Sequence, residues 1–315
     1  MKKFYVFAAV AIAALASCTK SEVVYDQGQQ EIGFRQFTGA MTKAEPSMLP
    51  TTTSMGVFSY LNGTQTAYFT NAEFVYKGDA KWGGATPYYW PLQGTLDFVL
   101  YAPYQAKDDA TNTPSYTPGT NTLKVTITDN RREQIDYLYG KDFYVNTSKP
   151  SPSSAGVPVV LKHALSKVTI AAKAQAAPIF TVTSIKLMQT IQEGSYTVTY
   201  NTTDDDFTSE VTGSAEPSAK EDMEYVPSGS TWTLTDNISD NSASKLVVPS
   251  YQTCIVLKYK MSGSDTEFTA KVDLADSWET GKHYTYNLTL TADEILFVPT
   301  VQDWDNQTAS EKEVK

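Results

Sequence analysis

In the run TLKVTIT, residues 122–128, Leu123, Val125 and Ile127 alternate with threonine and lysine. A period of two sends successive side chains to opposite faces of an extended chain, so the run predicts a strand with one dry and one wet face. The same texture of short apolar runs, broken by Gly, Pro, Asn or Asp, continues through the chain. In the first half it predicts strands at 31–37 (EIGFRQF), 54–61, 72–78, 96–103 (LDFVLYAP) and 135–143. In the second half it predicts them at 167–174, 182–189, 194–201, 230–236, 244–250, 254–261, 267–274, 283–291 and 294–301. Turn residues separate them roughly every eight to twelve positions, the rhythm of a β-sandwich. No segment sustains a 3.6-residue apolar period, and no exact internal repeat is visible. The pattern predicts an all-β protein.

Composition agrees. Tyrosine supplies 20 of 315 residues, and threonine recurs through the runs; aromatic and β-branched residues suit a pleated surface. A chain of this length holds one large β domain or two ordinary ones. The formal net charge is −10, with Lys and Arg scattered singly. Without a basic stripe to follow a phosphate backbone, nucleic acid is not expected as a partner.

Residues 1–17 read as a lipoprotein signal peptide: Lys2 and Lys3, then FYVFAAVAIAALA, then LASC ending on Cys18. The apolar run is too short to span a bilayer as a stable helix. Cys18 would become the acylated N-terminus, and two or more chains anchor durably, each buried methylene adding about 0.8 kcal/mol. The other reading is an ordinary secretory peptide with a cysteine at that place by chance. Residues 18–30 suit a flexible tether. Cys254, the remaining cysteine, has no internal disulfide partner and lies in an alternating run that predicts a buried strand. The segment 38–53, with two prolines and no periodicity, reads as an exposed loop. The clearest break is NTSKPSPSSAGVP, 146–158, which divides the chain into an N-terminal domain (31–158) and a C-terminal domain (159–315).

Catalytic and metal-binding patterns are not evident. His163 and His283 lie in no H-E-x-x-H pattern and read as structural residues near strand starts. The Asp run at 204–206 lacks the spacing, glycine and terminal glutamate of an EF-hand loop. No nucleophile elbow, phosphate-binding loop or dinucleotide fingerprint is present. No enzyme activity, cofactor or metal is expected.

The aromatic stretch TPYYWPLQGTLDFVLYAPY, 86–104, reads as core in its strand portion, with stacking on sugar rings as the other possibility. Together with Trp82 it resembles the N-terminal half of the fimbrillin-like proteins of Bacteroidota, the subunits of type V pili. LKHALSKVTI, 161–170, resembles that family's lead-in to its second domain. GKHYTYNLTLTADEILFVPTVQDW resembles its closing strand pair, finishing on Trp304. The resemblance implies two tandem transthyretin-like Greek-key β-sandwich domains and export as an outer-membrane, lipid-anchored subunit on the cell surface. It further implies polymerisation with other fimbrial subunits into an adhesive fimbrium, with a host or bacterial surface ligand. In that scheme a protease cuts after a basic residue, the first strand leaves, and a C-terminal strand of another subunit fills the groove. The cut would fall after Lys43, in the breaker-rich loop, or after Arg35. The family site is often arginine, so lysine at 43 leaves open an uncleaved tip, anchor or accessory role. The donor candidates are Leu288, Leu290, Ile295, Phe297 and Val301; five buried apolar side chains supply about 10 kcal/mol gross. The alternative is a monomeric surface lipoprotein that binds glycans.

Overall fold

The computed structural model describes residues 30–38, 49–106, 113–128, 130–141, 143–151, 156–175, 178–201, 206–213, 220–250, 254–274, 277–291 and 295–304. The first ten strands are β1 (Gly33–Thr38), β2 (Met55–Leu61), β3 (Ala67–Gly78), β4 (Lys81–Gly84), β5 (Leu96–Ala102), β6 (Ser115–Thr117), β7 (Thr122–Ile127), β8 (Leu138–Gly140), β9 (Tyr144–Thr147) and β10 (Val157–His163). They are followed by β11 (Ser166–Ala174), β12 (Phe180–Ile191), β13 (Gly194–Asn201), β14 (Asp206–Gly213), β15 (Lys220–Val226) and β16 (Trp232–Thr233). The last are β17 (Ser242–Val247), β18 (Cys254–Met261), β19 (Phe268–Asp273), β20 (Lys282–Leu290) and β21 (Ile295–Asp303). Helix is confined to one turn at Asn130–Glu133 and a 3-10 turn at Ile238–Asp240. The all-β reading holds.

In the first half the ladders close on themselves. The order β2-β3-β4-β1-β10-β8-β5 returns to β2 through six residue pairs, Gly56↔Tyr101 to Leu61↔Leu96. Closure leaves no open edge around the ring. Its interior is filled by Phe34, Phe74, Trp82, Trp90, Phe98 and aliphatic neighbours. A second sheet, β14-β13-β7-β6, lies against the outside of β2, β5 and β8. β5 is therefore covered on both faces, and all seven of its residues are buried. This is why LDFVLYA reads as an almost unbroken apolar run instead of alternating. β7, covered on one face, keeps the alternation seen in its sequence.

The second half is an open sandwich. Sheet β17-β11-β20-β21 packs on sheet β15-β12-β18-β19 around Val168, Ile170, Val182, Ile185, Leu257 and Tyr286. Cys254 is buried at the start of β18. The two halves are not strung on a loose connection. The hairpin β13–β14 comes from the second half yet pairs with β7 of the first, from Gly194↔Ile127 to Thr199↔Thr122. The passage from β10 to β11 is Ala164 and Leu165, both fully buried.

The Pro-rich segment 146–158 contains the end of β9 and the start of β10, so residue 158 lies inside a strand. Proline is tolerated there because β10 has only one neighbour at that level. Pro158 faces Arg35 of β1, and the β8 ladder begins at Leu161.

Candidate functional site

The first and last strands hold most of the sequence-predicted site residues. β1 runs parallel to β10 from Phe34↔Val157 to Thr38↔Leu161, and antiparallel to β4 over Gly33↔Gly83 and Phe34↔Trp82. The approach to β10 depends on Gly156. Its φ of +117° is one that side-chain-bearing residues rarely adopt, and an added Cβ would stand 2.4 Å from the Gly33 carbonyl oxygen.

Ile32 and Phe34 point into the barrel and are fully buried. Phe34 meets Phe74 and Phe98 edge-on, each at 5.1 Å between ring centroids. Ahead of β1, the Ile32 amide donates to the Tyr88 carbonyl (2.7 Å) and the Trp90 amide to the Gln30 carbonyl (3.0 Å). Trp90 in turn packs edge-on to Phe98 at 5.7 Å. The aromatic stretch 86–104 thus lines the core and clasps the lead-in to β1.

β21 has the opposite setting. It pairs with β20 over nine positions, Lys282↔Asp303 to Leu290↔Ile295, and forms the edge of its sheet. Ile295, Phe297 and Val301 pack partly against the second core, with Phe297 stacked on Tyr286 at 5.5 Å. On the other face Leu296 and Val298 are 41% and 54% exposed. An edge strand that is apolar on both faces can satisfy only one of them at home.

The far end of β21 is held differently. The ring of Trp304 stacks on His163 at 3.6 Å and 7° between planes, and the Trp304 amide donates to the Gly281 carbonyl (2.9 Å). His163 Nδ1 lies 2.8 Å from an Asp136 carboxylate oxygen. Lys282 and Asp303 form an ion pair. Gln302 Nε2 donates to His283 Nδ1 (3.2 Å), which leaves the His283 proton on Nε2 to be donated to Thr169 Oγ1 (2.8 Å). Burial, with a smaller contribution from Lys167, pushes the pKa of His283 down to about 4. Both histidines therefore take part in the packing around the end of β21.

The structure separates the five donor candidates. Leu288 and Leu290 lie on β20, fully buried, between β11 on one side and β21 on the other. Ile295, Phe297 and Val301 lie on the edge strand. Arg35 is an exposed residue within β1, its backbone opposite Pro158. Lys43 and Cys18 lie outside the described residues. Among the described residues no group of three or more His, Cys, Asp or Glu could hold a metal ion.

One signal in the sequence went unread. Glu31-Ile32-Gly33-Phe34 at the front and Glu294-Ile295-Leu296-Phe297 at the back differ only at the third position. In both strands the Ile and Phe turn toward a core. A search for exact long repeats passes over a match this short, whereas aligning the two terminal strands by their inward residues exposes it.

Comparison with known proteins adds the following. The family model for fimbrillin-like proteins matches residues 42–304. A candidate cell adhesion protein from Bacteroides uniformis is similar in structure, with a TM-score of 0.52 and 16% identity, covering 87% of this chain and 99% of that one. A second, from Bacteroides ovatus, has a TM-score of 0.51 and 19% identity, covering 88% and 99%. No curated protein matches.

Proposed function

This chain belongs to the fimbrillin-like family, and we propose that it is a structural and adhesive fimbrial subunit, exported as a lipoprotein acylated on Cys18 and assembled by strand exchange. Cleavage after Lys43 or Arg35 lets β1 leave the barrel wall. β21 of another subunit then enters the vacated groove, with Ile295 and Phe297 taking the places of Ile32 and Phe34. The barrel and the sandwich correspond to tandem transthyretin-like domains. The partners are other fimbrial subunits, and the setting is the cell surface.

One observation carries this reading: an edge strand presents the same Ile-x-Phe spacing that the barrel uses to seat β1. Loss of β1 would leave a row of unpaired backbone groups and two empty apolar pockets, and strand addition restores both kinds of contact. Of the two cleavage candidates, Lys43 demands less of the fold. A protease must take the chain in extended form, and Arg35 is already paired along the β10 ladder.

Brief trypsin treatment of the unlipidated protein tests the scheme. The expected result is a cut near Lys43 or Arg35, followed by oligomers that resist mild detergent. The Phe297→Ala variant should be cut equally fast and remain monomeric. Monomers from the cut parent chain would overturn the exchange.

A further inference from the structure

A cleft of about 520 Å³ opens at one end of the barrel, away from β1 and β21. Three turns build it: the β2–β3 hairpin at 62–66, the β6–β7 turn at 118–121, and the segment 143–146 leading into β9. The first and third are fastened to one carboxylate. Asp97, only 3% exposed, accepts the Gly63 amide on one oxygen (2.8 Å) and the Asn146 amide on the other (2.7 Å). Further bonds stiffen the frame. Thr95 donates through Oγ1 to Asn146 Oδ1 (2.7 Å), and the Tyr116 hydroxyl donates to Asn121 Oδ1 (3.1 Å). The walls are aromatic: Tyr116 packs against Tyr60 at 5.3 Å and against Phe143 at 5.7 Å. The rim carries the amides of Asn62 and Gln65, and no lysine or arginine lines the cleft.

We propose that this cleft binds a neutral oligosaccharide. Its volume lies within the range of small-molecule sites. Each sugar hydroxyl both donates and accepts, and side-chain amides do the same. The apolar C–H face of a pyranose ring suits an aromatic wall. Tyr, Asn and Gly are also the residues on which binding loops rely, because rigid rings give contact area and short amides adapt their hydrogen bonds. Acidic sugars are disfavoured. Asp97 brings negative charge beneath the floor, and the lining supplies no cation to offset a second one. A protein partner fits poorly as well, since the cleft is concave and polar and exposes no apolar anchor. The inference is independent of strand exchange and stands or falls separately.

The test uses the unlipidated chain and a panel of mannose-, galactose-, glucose- and N-acetylglucosamine-based trisaccharides beside sialylated and sulfated counterparts, followed by titration calorimetry. At least one neutral member should bind, with affinity falling about tenfold in Asn62→Ala and in Gln65→Ala. Gly119→Phe is a sharper probe. Gly119 is exposed at the mouth, and an added Cβ there would meet only Gln65 Nε2, at 3.5 Å. This variant should keep the parental melting temperature and lose binding. Failure of every neutral sugar to bind at millimolar concentration, binding of acidic members alone, or binding unchanged by all three substitutions would each overturn the proposal.

Discussion

β1 and β21 share an Ile-x-Phe core motif but occupy opposite positions in their sheets. β1 is part of a closed wall, its Phe34 wedged between Phe74 and Phe98 and wholly sealed from water. β21 closes nothing. It lies on the rim of an open sheet, half of its apolar side chains facing outward, held at its far end by a stacked tryptophan and polar pairs. The same motif is therefore costly to remove at one end of the chain and inexpensive to release at the other. Strand exchange needs that asymmetry. The acceptor site must be poor without a strand, and the donor must leave its parent fold intact.

The largest expected effect tests the two phenylalanines against each other. Phe34→Ala should destabilise the chain by about 3–5 kcal/mol in urea denaturation, the range for a fully buried aromatic. Phe297→Ala, at a partly buried edge position, should cost only about 1–2 kcal/mol. Equal losses would mean that β21 is as integral to its sandwich as β1 is to the barrel, and the asymmetry would be gone.

Much of this was legible in the sequence, and the misses have physical causes. Alternation located β7 and β20 because each keeps a core face whose residues differ sharply from those opposite. It also found β5, where the near-unbroken apolar run reflects cover on both faces. β10 was hidden because Pro158 and its polar neighbours look like a linker. A proline breaks a strand only where its missing N–H is needed, and here one side of the strand has no neighbour at that level. Ring closure was invisible, since β2 and β5 are paired across more than thirty intervening residues by contacts that leave no local signature. The site was partly readable. Ile295, Phe297 and Val301 fall on one edge strand, whereas Leu288 and Leu290 share their alternation and sit in the middle of the sheet. Periodicity identifies which face a residue takes and is silent on whether its strand has one neighbour or two.

A smaller effect sharpens the account of how β21 is held. Trp304→Ala removes the stack on His163 and should cost about 0.5–1.5 kcal/mol, the usual worth of an aromatic pair beyond its buried area. The diagnostic reading is local. Amide hydrogen exchange should accelerate across 299–303 while the amides of β18, in the opposite sheet, keep their protection. Uniform acceleration over both sheets would show that Trp304 supports the whole sandwich and is no separate fastening.

The smallest effect is set by pH. An unperturbed histidine titrates near 6.5, whereas His283 in the fold is held down to about 4. Between those two values the unfolded chain binds a proton that the folded chain refuses. The contribution of His283 is therefore fully present above pH 6.5 and is lost progressively as pH falls toward 4. Solvent screening of the half-buried ring holds this to roughly 1 kcal/mol, or about 2–4 °C in Tm. The structural consequence falls on one strand. Once protonated, the ring can no longer accept from Gln302 Nε2, so the side-chain tie between β20 and β21 is broken, and the new charge faces Lys167. His283→Gln should flatten the Tm profile between pH 6.5 and 4, and the difference between parent and variant isolates this ring from every other titrating group. Exchange at 299–303, corrected for the intrinsic rate, should rise in the parent from pH 7 to pH 5 and stay level in the variant, with β1 unmoved in both. A rise confined to β1 would reverse the assignment of which end of the chain acid loosens.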